Sequence, residues 1–460
     1  MTARTESGSV PEIEFGYGYR RRTGQDAFAA GADAAAEARS FIGTHALSLV
    51  LVYASADCDL QRLLDGVRHS VGEVPVLGAT TAGEICNQLQ EGGVLVVALA
   101  SPHLRVRWAA AAGVSQDWRK AVDEVTAAAG IAPYFEPTLD PQRDLAARGA
   151  SVLLLCLMPG ATRHAASAAF EIVEALRSKS FGRYPIFGTC ATDDWRMEAN
   201  SVFAGSQVLG DALLLAVVET GLEFGVALSH GFRATAARVT VSAVEGNEVL
   251  ALDGRIAADV YSQLLGSNRA AFHNKHLTLA SGRALGSADA SGRYSLNLPG
   301  YFTPRGGLRL TQPVAEGTVL TLMEADPMMA FATGAEVVQQ AVARGGVSEP
   351  VLALLHYCAL RARLLGETAV GDEIEGARGA LGGAPVLGCC GFGAAGAGGD
   401  GQSRHNDAAV AALVIGRRLS PAALATQQQQ RLQRAVLEQV RTLDQRVEEG
   451  TLGLNVTTKS

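Results

Sequence analysis

The stretch PVLGATTAGEI at residues 75–85 ends an apolar run on a glycine and follows it with small side chains and a glutamate. Two further stretches repeat the pattern, PIFGTCATDD at 185–194 and PVLGCCGFGAAG at 385–396. Glycine frees the backbone, and its missing side chain lets another group come close. The three stretches therefore predict three equivalent strand ends, each approached closely by a neighbouring strand or by a ligand.

Each stretch lies inside a longer repeated unit. An apolar run opens each unit, at 46–55, 151–160 and within 349–367, and a helical segment follows it. After the glycine come apolar return strands, at 92–100 and 104–112, at 211–219 and 222–229, and at 407–416. A strand-helix-strand unit predicts parallel pairing, and strands joined by short turns are antiparallel. The predicted fold class is α/β, with mixed β-sheets and helices packed on them.

We expect two domains built from these units. The predicted boundaries are an N-terminal extension at 1–38, an N-terminal domain at 39–243, a C-terminal domain at 244–418 and a helical tail at 419–460. Two units fall in the first domain and one in the second. Before the third unit, residues 239–266 are typical of strand, turn, strand, turn and helix, and residues 280–325 are rich in strands and turns.

Composition excludes several classes of protein. The 460 residues are 48% hydrophobic and carry a net charge of −7, which argues against nucleic-acid or anionic-membrane binding. The seven cysteines form no C-x-x-C pair, so reduced thiols are expected. The first residues lack the apolar core of a signal peptide, and no apolar run is long enough to span a bilayer. A cytoplasmic protein is therefore predicted.

The three glycine stretches, together with GVALSHGFRATAARVTVSAVEGNEVLALDGRIAADVY (225–261), HYCALRARLLGE (356–367) and SRHND (403–407), resemble the FIST sensory proteins. The similarity covers about residues 40–418. It implies a ligand-sensing protein that works with an output partner such as a histidine kinase or a cyclic-di-GMP enzyme. The implied ligands are small molecules, including amino acids. A haem-binding branch that senses nitric oxide is also similar to this family.

Polar residues at the glycine turns are the predicted ligand contacts. Ligands bind beyond the carboxyl ends of strands in such sheets, and hydroxyls, backbone N–H groups and a carboxylate suit an amino acid. The candidates are Thr80, Thr81, Gly83, Glu84, Thr189, Cys190, Asp193 and Asp194. A second interpretation is that these groups only cap the turns. The third copy carries Ala394 where the others have a carboxylate, which weakens a polar contact there.

Arg361 is a further candidate. Its guanidinium could bind a ligand carboxylate with two hydrogen bonds. Arg363 lies two residues away on a predicted helix, so at most one of the two arginines points inward. The competing interpretation is an exposed helix face.

Haem binding and catalysis are two further functions that the residues allow. If haem is bound, His230 or His405 is the predicted axial ligand, and no separate metal site is predicted. An enzyme would use Cys190 or Glu84, although no G-x-S-x-G motif surrounds the cysteine. The glycines of GFGAAG (391–396) match a dinucleotide-binding pattern but lack a following helix, so we predict a mobile glycine loop.

The tail predicts one more interaction. Val436, Val440, Leu443 and Val447 are spaced as a heptad seam over about two heptads. A helix beginning near Pro421 could dimerise, dock on the body or contact an output partner.

Overall fold

Each of the three glycine stretches contains the second of two parallel strands, and each of these strand pairs lies in its own six-stranded sheet. The glycine is the third of six residues in each strand, so the prediction that the strands end on it was wrong. The computed structural model describes residues 12–21, 26–131, 150–289 and 292–457, and side chains as far as Thr442. The first unit contains β1 (Glu14–Arg21), α1 (Ala27–Ile42), β2 (Leu49–Ser55), α2 (Leu60–Val71), β3 (Val76–Thr81), β4 (Glu84–Cys86), β5 (Leu89–Gln90) and β6 (Gly93–Ala100).

The second unit repeats this order of elements. It contains β7 (Leu104–Ala112), α3 (Val114–Ala128), β8 (Ser151–Pro159), α4 (Ala169–Lys179), β9 (Ile186–Ala191), β10 (Ser201–Ala204), β11 (Gln207–Gly210) and β12 (Ala212–Thr220).

The third unit begins with β13 (Leu222–Ser229) and then receives an insertion. The insertion contains β14 (Phe232–Glu245), β15 (Glu248–Leu252), β16 (Arg255–Ile256), α5 (Ala257–Leu264), α6 (Leu277–Ser281), β17 (Arg283–Ala288), β18 (Tyr294–Asn297), β19 (Pro299–Phe302), β20 (Leu308–Leu310) and β21 (Val319–Ala325). The unit resumes with α7 (Ala330–Gly345), β22 (Pro350–Cys358), α8 (Ala359–Leu365), α9 (Glu367–Ala380), β23 (Val386–Gly391), β24 (Ala394–Ala397), β25 (Ser403–Asn406) and β26 (Val410–Leu419). The tail is α10 (Pro421–Thr457).

The units exchange their hairpins in a closed cycle. Sheet 1 has the order β1-β6-β2-β3-β10-β11, sheet 2 has β7-β12-β8-β9-β24-β25, and sheet 3 has β13-β26-β22-β23-β4-β5. Each sheet therefore ends on a hairpin donated by another unit. The inserted strands form a fourth, antiparallel sheet. This arrangement confirms the predicted α/β class with mixed sheets.

The three mixed sheets bury both of their faces. On β2, Leu51 and Tyr53 point into a core shared by all three sheets, while Val50 and Val52 pack against α1 and α2. Sheets 2 and 3 are covered on the outside in the same way by α3 and α4 and by α7 and α9. Strands buried on both faces are continuously apolar, which explains the long apolar runs of the sequence.

A histidine lies in this shared core. His356 is fully buried, stacks on Phe187 at 3.9 Å between ring centroids, and has Nε2 2.9 Å from the hydroxyl of Tyr53. Among the described residues its Nδ1 has no hydrogen-bond partner. Burial lowers the pKa of His356 to about 3, so the ring is neutral.

The repeated glycines are required by the protein's own backbone. A Cβ added to Gly78 would lie 1.8 Å from the carbonyl oxygen of Val52 on the neighbouring parallel strand. Equivalent overlaps occur at Gly188 and Gly388. The sequence allowed either a neighbouring strand or a ligand at these glycines, and close approach of a neighbouring strand is confirmed.

Two predictions about the strands were wrong. Residues 104–112 and 222–229 are not return strands of the preceding units: they are β7 and β13, the edge strands that begin sheets 2 and 3. The short turns before them carry the chain from one sheet to the next, and hydropathy cannot distinguish that path from a hairpin. The expected helix at 161–178 begins only at Ala169.

The glycine stretch at 391–396 also differs from its prediction. It is not a mobile loop, because Ala394–Ala397 form β24, which pairs with β9 and β25. The predicted order of elements at 239–266 is confirmed, and the inserted sheet accounts for the strand-rich region at 280–325.

The first and last elements bear on the predicted boundaries. β1 and most of α1 lie within the segment treated as an N-terminal extension (1–38), yet β1 pairs with β6 in sheet 1 and α1 continues to Ile42. The tail is a single helix with exposed Val436 and Val440, whereas the side chains of Leu443 and Val447 lie outside the described residues. The domain boundaries themselves stay a prediction. In the described part of the chain, no helix has both the length and the apolarity to cross a membrane.

Candidate functional site

The three glycine corners meet one another at the centre of the molecule. Three equivalent backbone hydrogen bonds join them in a ring. The bonds run from the N–H of Ala82 to the carbonyl of Cys390 (2.8 Å), from Thr192 to Thr80 (3.0 Å) and from Phe392 to Cys190 (3.0 Å). The corners thus hold the three units together, and the small side chains allow this contact.

The first corner uses its polar side chains within the fold. Glu84 is fully buried and accepts hydrogen bonds from the Thr81 hydroxyl (2.7 Å) and from the N–H of Gly93 (3.1 Å). The Thr80 hydroxyl accepts from the N–H of Ser201 at 3.0 Å, which fixes the exchanged strand β10. Gly83 has a φ of 152° and lies against the hairpin that follows it. The polar groups of the first corner therefore stabilise the exchanged strands β4 and β10.

The second corner is equally engaged. Thr189 donates to the carbonyl of Gly393 at 2.8 Å. Asp193 accepts from three backbone N–H groups at residues 197–199, each at 2.8 Å, and Asp194 accepts from the Ser55 hydroxyl at 2.8 Å. Burial raises the pKa of Asp194. The hydrogen bonds described here stabilise loops and strands of the fold. Contacts between these residues and a ligand stay a prediction at both corners.

Cys190 has a histidine beside it but no exposure to solvent. It is fully buried, with Sγ 3.7 Å from Nε2 of His405 and 3.9 Å from the hydroxyl of Ser167. Burial raises the pKa of Cys190 well above its usual value, which favours the unreactive thiol. The burial and the raised pKa therefore argue against a reactive thiolate at this cysteine.

Arg361 points inward and Arg363 outward, as the helical spacing predicts. The Arg361 guanidinium is bonded twice through Nε and once through Nη2 to the buried carboxylate of Glu373, at 3.0–3.2 Å. It also donates to the carbonyl of His230. Burial acts to lower the pKa of Arg361, but the carboxylate of Glu373 beside it outweighs this effect, so the pKa of Arg361 is raised. An internal carboxylate thus occupies the position that a ligand carboxylate was expected to take.

His230 is held on both ring nitrogens. Nε2 lies 2.9 Å from the carbonyl oxygen of Tyr294, and Nδ1 accepts from the N–H of Phe232 at 3.0 Å. The proton is therefore on Nε2, and burial lowers the pKa of His230 to about 4. Haem needs a free axial ligand in an apolar pocket. His230 offers no such ligand, and His405 contacts Cys190, so these residues do not fit haem.

A cavity of about 460 Å³ lies where the inserted sheet meets the body. We call it the junction cavity. Its lining comes from four places: the end of β13 with residues 230–233, the start of β18, the start of α7, and the loop and strand at 398–406. His230 and Gly231 form one side of it.

Charges of both signs line the junction cavity. Arg404 lies 3.2 Å from the carboxylate of Asp289, and Arg293 lies 3.8 Å from that of Glu336. A Cβ on Gly399 would lie 2.1 Å from Cδ of Arg293, and one on Gly398 would lie 2.5 Å from Nη1 of Arg404. These glycines therefore make room for the two arginines.

Asn406 is the feature of this cavity that fold stability does not explain. Its side chain is 4% exposed, and its Oδ1 has no hydrogen-bond partner among the described residues. Buried polar groups in proteins are nearly always hydrogen-bonded, and an exception needs an explanation such as a bound molecule. Asn406 also lines a second cavity of about 350 Å³, which we call the side cavity.

Sequence reasoning missed most of this site. His230 was singled out and does line the junction cavity, but as a hydrogen-bonded wall residue. Arg293, Glu336 and Asp289 stand in segments without a recognisable motif. Asn406 lies in the SRHND stretch at 403–407, which was the available signal.

The chain is similar to two family models. The FIST N domain matches residues 48–255 and the FIST C domain matches residues 257–396, together most of the chain. No curated protein matches it. A crystal structure of cyanuric acid hydrolase from A. caulinodans is 12% identical, covering 46% of this chain and 72% of its own, with a TM-score of 0.25. That likeness is too low to bear on activity. On the strength of the two matches, the chain belongs to the FIST family, whose domains are associated with sensory signal transduction.

Proposed function

We propose that this protein is a cytoplasmic sensor that binds a small amino-acid-like molecule in the junction cavity and passes the binding event to a signalling partner. The observation that carries the proposal is the buried, unpartnered Oδ1 of Asn406 in a wall of the cavity, a statement that covers the described residues. An amide oxygen accepts hydrogen bonds, so it suits an ammonium or N–H group of a ligand.

The charges of the cavity favour a zwitterion. The cavity wall carries the guanidinium groups of Arg404 and Arg293 beside the carboxylates of Asp289 and Glu336, and Arg404 also bonds Asp400 outside the cavity lining. A ligand with one ammonium and one carboxylate can bind both kinds of group without leaving a net charge unbalanced. A purely anionic or cationic ligand would leave one member of a pair without a partner, which is unfavourable in a partly buried site.

The cavity walls supply a route to an output. Thr333 and Glu336 on α7 line the cavity, and the carbonyl of His230 accepts a hydrogen bond from Arg361 on α8. A ligand that contacts these walls more favourably in one arrangement of α7 and α8 shifts the population toward it. The partner class we propose is a histidine kinase or a cyclic-di-GMP enzyme.

The tail offers a surface for that partner or for a second copy of the chain. Leu432, Val436, Leu437 and Val440 on α10 are all exposed by 46% or more. Exposed apolar side chains at helical spacing are typical of helix-helix contacts. We propose a homodimer through this helix as the first interaction to test.

Thermal unfolding with a panel of free amino acids tests the ligand. A ligand that binds only the folded protein raises stability by RT ln(1 + [L]/Kd), about 2.7 kcal/mol at 100 times Kd. We expect at least one amino acid to raise the unfolding temperature, and the Asn406→Leu variant to lose that rise.

Asn200→Leu is the matched control. Asn200 is also buried, but its Nδ2 donates to the carbonyl of Gly160 at 3.1 Å, away from the cavity. This variant should unfold at a lower temperature and keep the ligand-induced rise. If no amino acid stabilises the wild type, or if purified protein shows a haem Soret band, the proposal fails.

A further inference from the structure

The wall of the junction cavity also contains apolar side chains, which the proposed contacts to an ammonium and a carboxylate leave unused. Leu228 and Phe232 are buried, and Tyr294 is half-buried in the same apolar cluster as Phe232. Met329 differs from them, because it lines the cavity and is 44% exposed. An apolar side chain exposed in a cavity wall is stabilised when an apolar group of a ligand covers it.

The beginning of α7 orders charged and apolar groups along the cavity. Met329, directly before α7, and Thr333 and Glu336 on it all line the cavity, and their spacing of four and three residues places them on one helix face. The Thr333 hydroxyl donates to the carbonyl of Met329 at 2.8 Å, as expected between successive helical turns. At a rise of about 1.5 Å per residue, Met329 and Glu336 lie about 10 Å apart along the helix. This wall of the cavity therefore has a charged end at Glu336 and an apolar end at Met329.

The charged side chains of the cavity lining already have partners of opposite sign. Besides the two arginine–carboxylate pairs described above, Arg233 lies 3.5 Å from the carboxylate of Glu324. A ligand side chain with a charge of its own would compete with one of these partners, which is unfavourable in a partly buried site. The lining therefore favours a ligand whose side chain is uncharged.

We infer that the ligand is an amino acid with an apolar side chain of several carbon atoms, and that this side chain covers Met329. The inference rests on the proposed function, because the ammonium and the carboxylate of the ligand are bound by Asn406 and the charged pairs as proposed above. The thioether of Met329 is flexible and polarisable, so it adapts to the shape of an apolar group. The cavity volume of about 460 Å³ has room for a side chain larger than that of alanine.

Calorimetry of the full chain with alanine, methionine and glutamine tests this inference. Methionine and glutamine have side chains of similar length, but only that of methionine is apolar. We expect methionine to bind the wild type at least about tenfold more tightly than either of the others. Burial of each further methylene group strengthens binding by up to about fourfold, so several carbon atoms supply this difference.

Two neighbouring methionines provide a variant and its matched control. Met329→Gln should weaken methionine binding about tenfold and leave alanine binding unchanged, because alanine does not reach Met329. Met328→Gln is the control, since Met328 is 89% exposed and lies outside the cavity lining; it should bind methionine as the wild type does. Both positions are exposed, so both variants should unfold at the temperature of the wild type without ligand.

The outcomes separate this inference from the proposed function. If alanine or glutamine binds as tightly as methionine, or if Met328→Gln and Met329→Gln bind methionine equally, the inference is wrong while the proposed function stands. If none of the three compounds binds, the inference is also wrong, and the wider panel of amino acids then decides the proposed function independently.

Discussion

Replacing Asn406 by leucine should stabilise the unliganded protein and abolish ligand binding together. Leucine is close in size to asparagine and leaves no polar atom to be satisfied. The Oδ1 of Asn406 is buried without a partner among the described residues, and such a group costs about 1–3 kcal/mol of stability. Removing it should recover an amount of that order.

The magnitude is measurable as an unfolding temperature. For domains of 150–250 residues, 1 kcal/mol corresponds to about 2–4 °C. We therefore expect the variant to unfold a few degrees above the wild type without ligand. Saturating ligand should raise the wild type by about 2.7 kcal/mol at 100 times Kd and leave the variant unchanged. When ligand is added, the unfolding temperature of the wild type should therefore reach or exceed that of the variant.

Scanning fluorimetry of both proteins, with and without ligand, measures all four temperatures in one experiment. Asn406→Asp is the companion variant, because it keeps the oxygen and adds a charge; it should lower stability without ligand. If Asn406→Leu unfolds several degrees below the wild type and still responds to ligand, then Asn406 supports the fold through contacts of its own. The site would then have to be placed elsewhere.

Four further outcomes follow from the structure. Gly78→Ala should prevent folding, because its Cβ would lie 1.8 Å from a carbonyl oxygen. Gly371→Ala on α9 is the control: its Cβ would have no neighbour within 4 Å, so it should be neutral or stabilising by up to about 1 kcal/mol. Soluble yield and unfolding temperature measure both variants. Arg361→Met leaves the buried carboxylate of its partner on α9 uncompensated and should cost about 3–5 kcal/mol in denaturant unfolding; a loss below about 1 kcal/mol would contradict an ionised pair. Stability should fall as the pH drops from about 6.5 towards 4, because the unfolded chain binds protons that three histidines of the folded protein do not bind: half-buried His230, with a pKa of about 4, buried His356, with a pKa of about 3, and His405, whose pKa is lowered by burial. His356→Gln should reduce that slope by about one proton, or about 1.4 kcal/mol per pH unit, and an unchanged slope would show that His356 does not contribute to it. Val436→Glu should convert the proposed dimer to a monomer in light scattering without changing the unfolding temperature, and a wild type of monomer mass would refute the dimer.

Local patterns in the sequence were enough to predict the repeated unit. The apolar runs, the helical spacing and the glycine within each second strand depend on neighbouring residues alone, so the α/β class and most strands could be derived from them. Helical geometry in the same way limited the inward-pointing arginines on α8 to at most one, and the structure shows that this one is Arg361. The family could also be recognised, because its motifs are contiguous segments.

Only the tertiary structure decided which sheet each strand joins and where the cavity lies. An apolar strand pairs equally well with its own unit or with another, so the cyclic exchange of hairpins leaves no mark in the hydropathy pattern. The same exchange brings the three corners together and gives the Thr80 hydroxyl its partner on β10, whereas Glu84 and Asp193 are satisfied by groups nearby in the chain. The junction cavity joins His230, Arg293 and Asn406 across more than 170 residues of chain, and its hydrogen-bonding capacity toward a ligand exists only once the insertion has packed on the body.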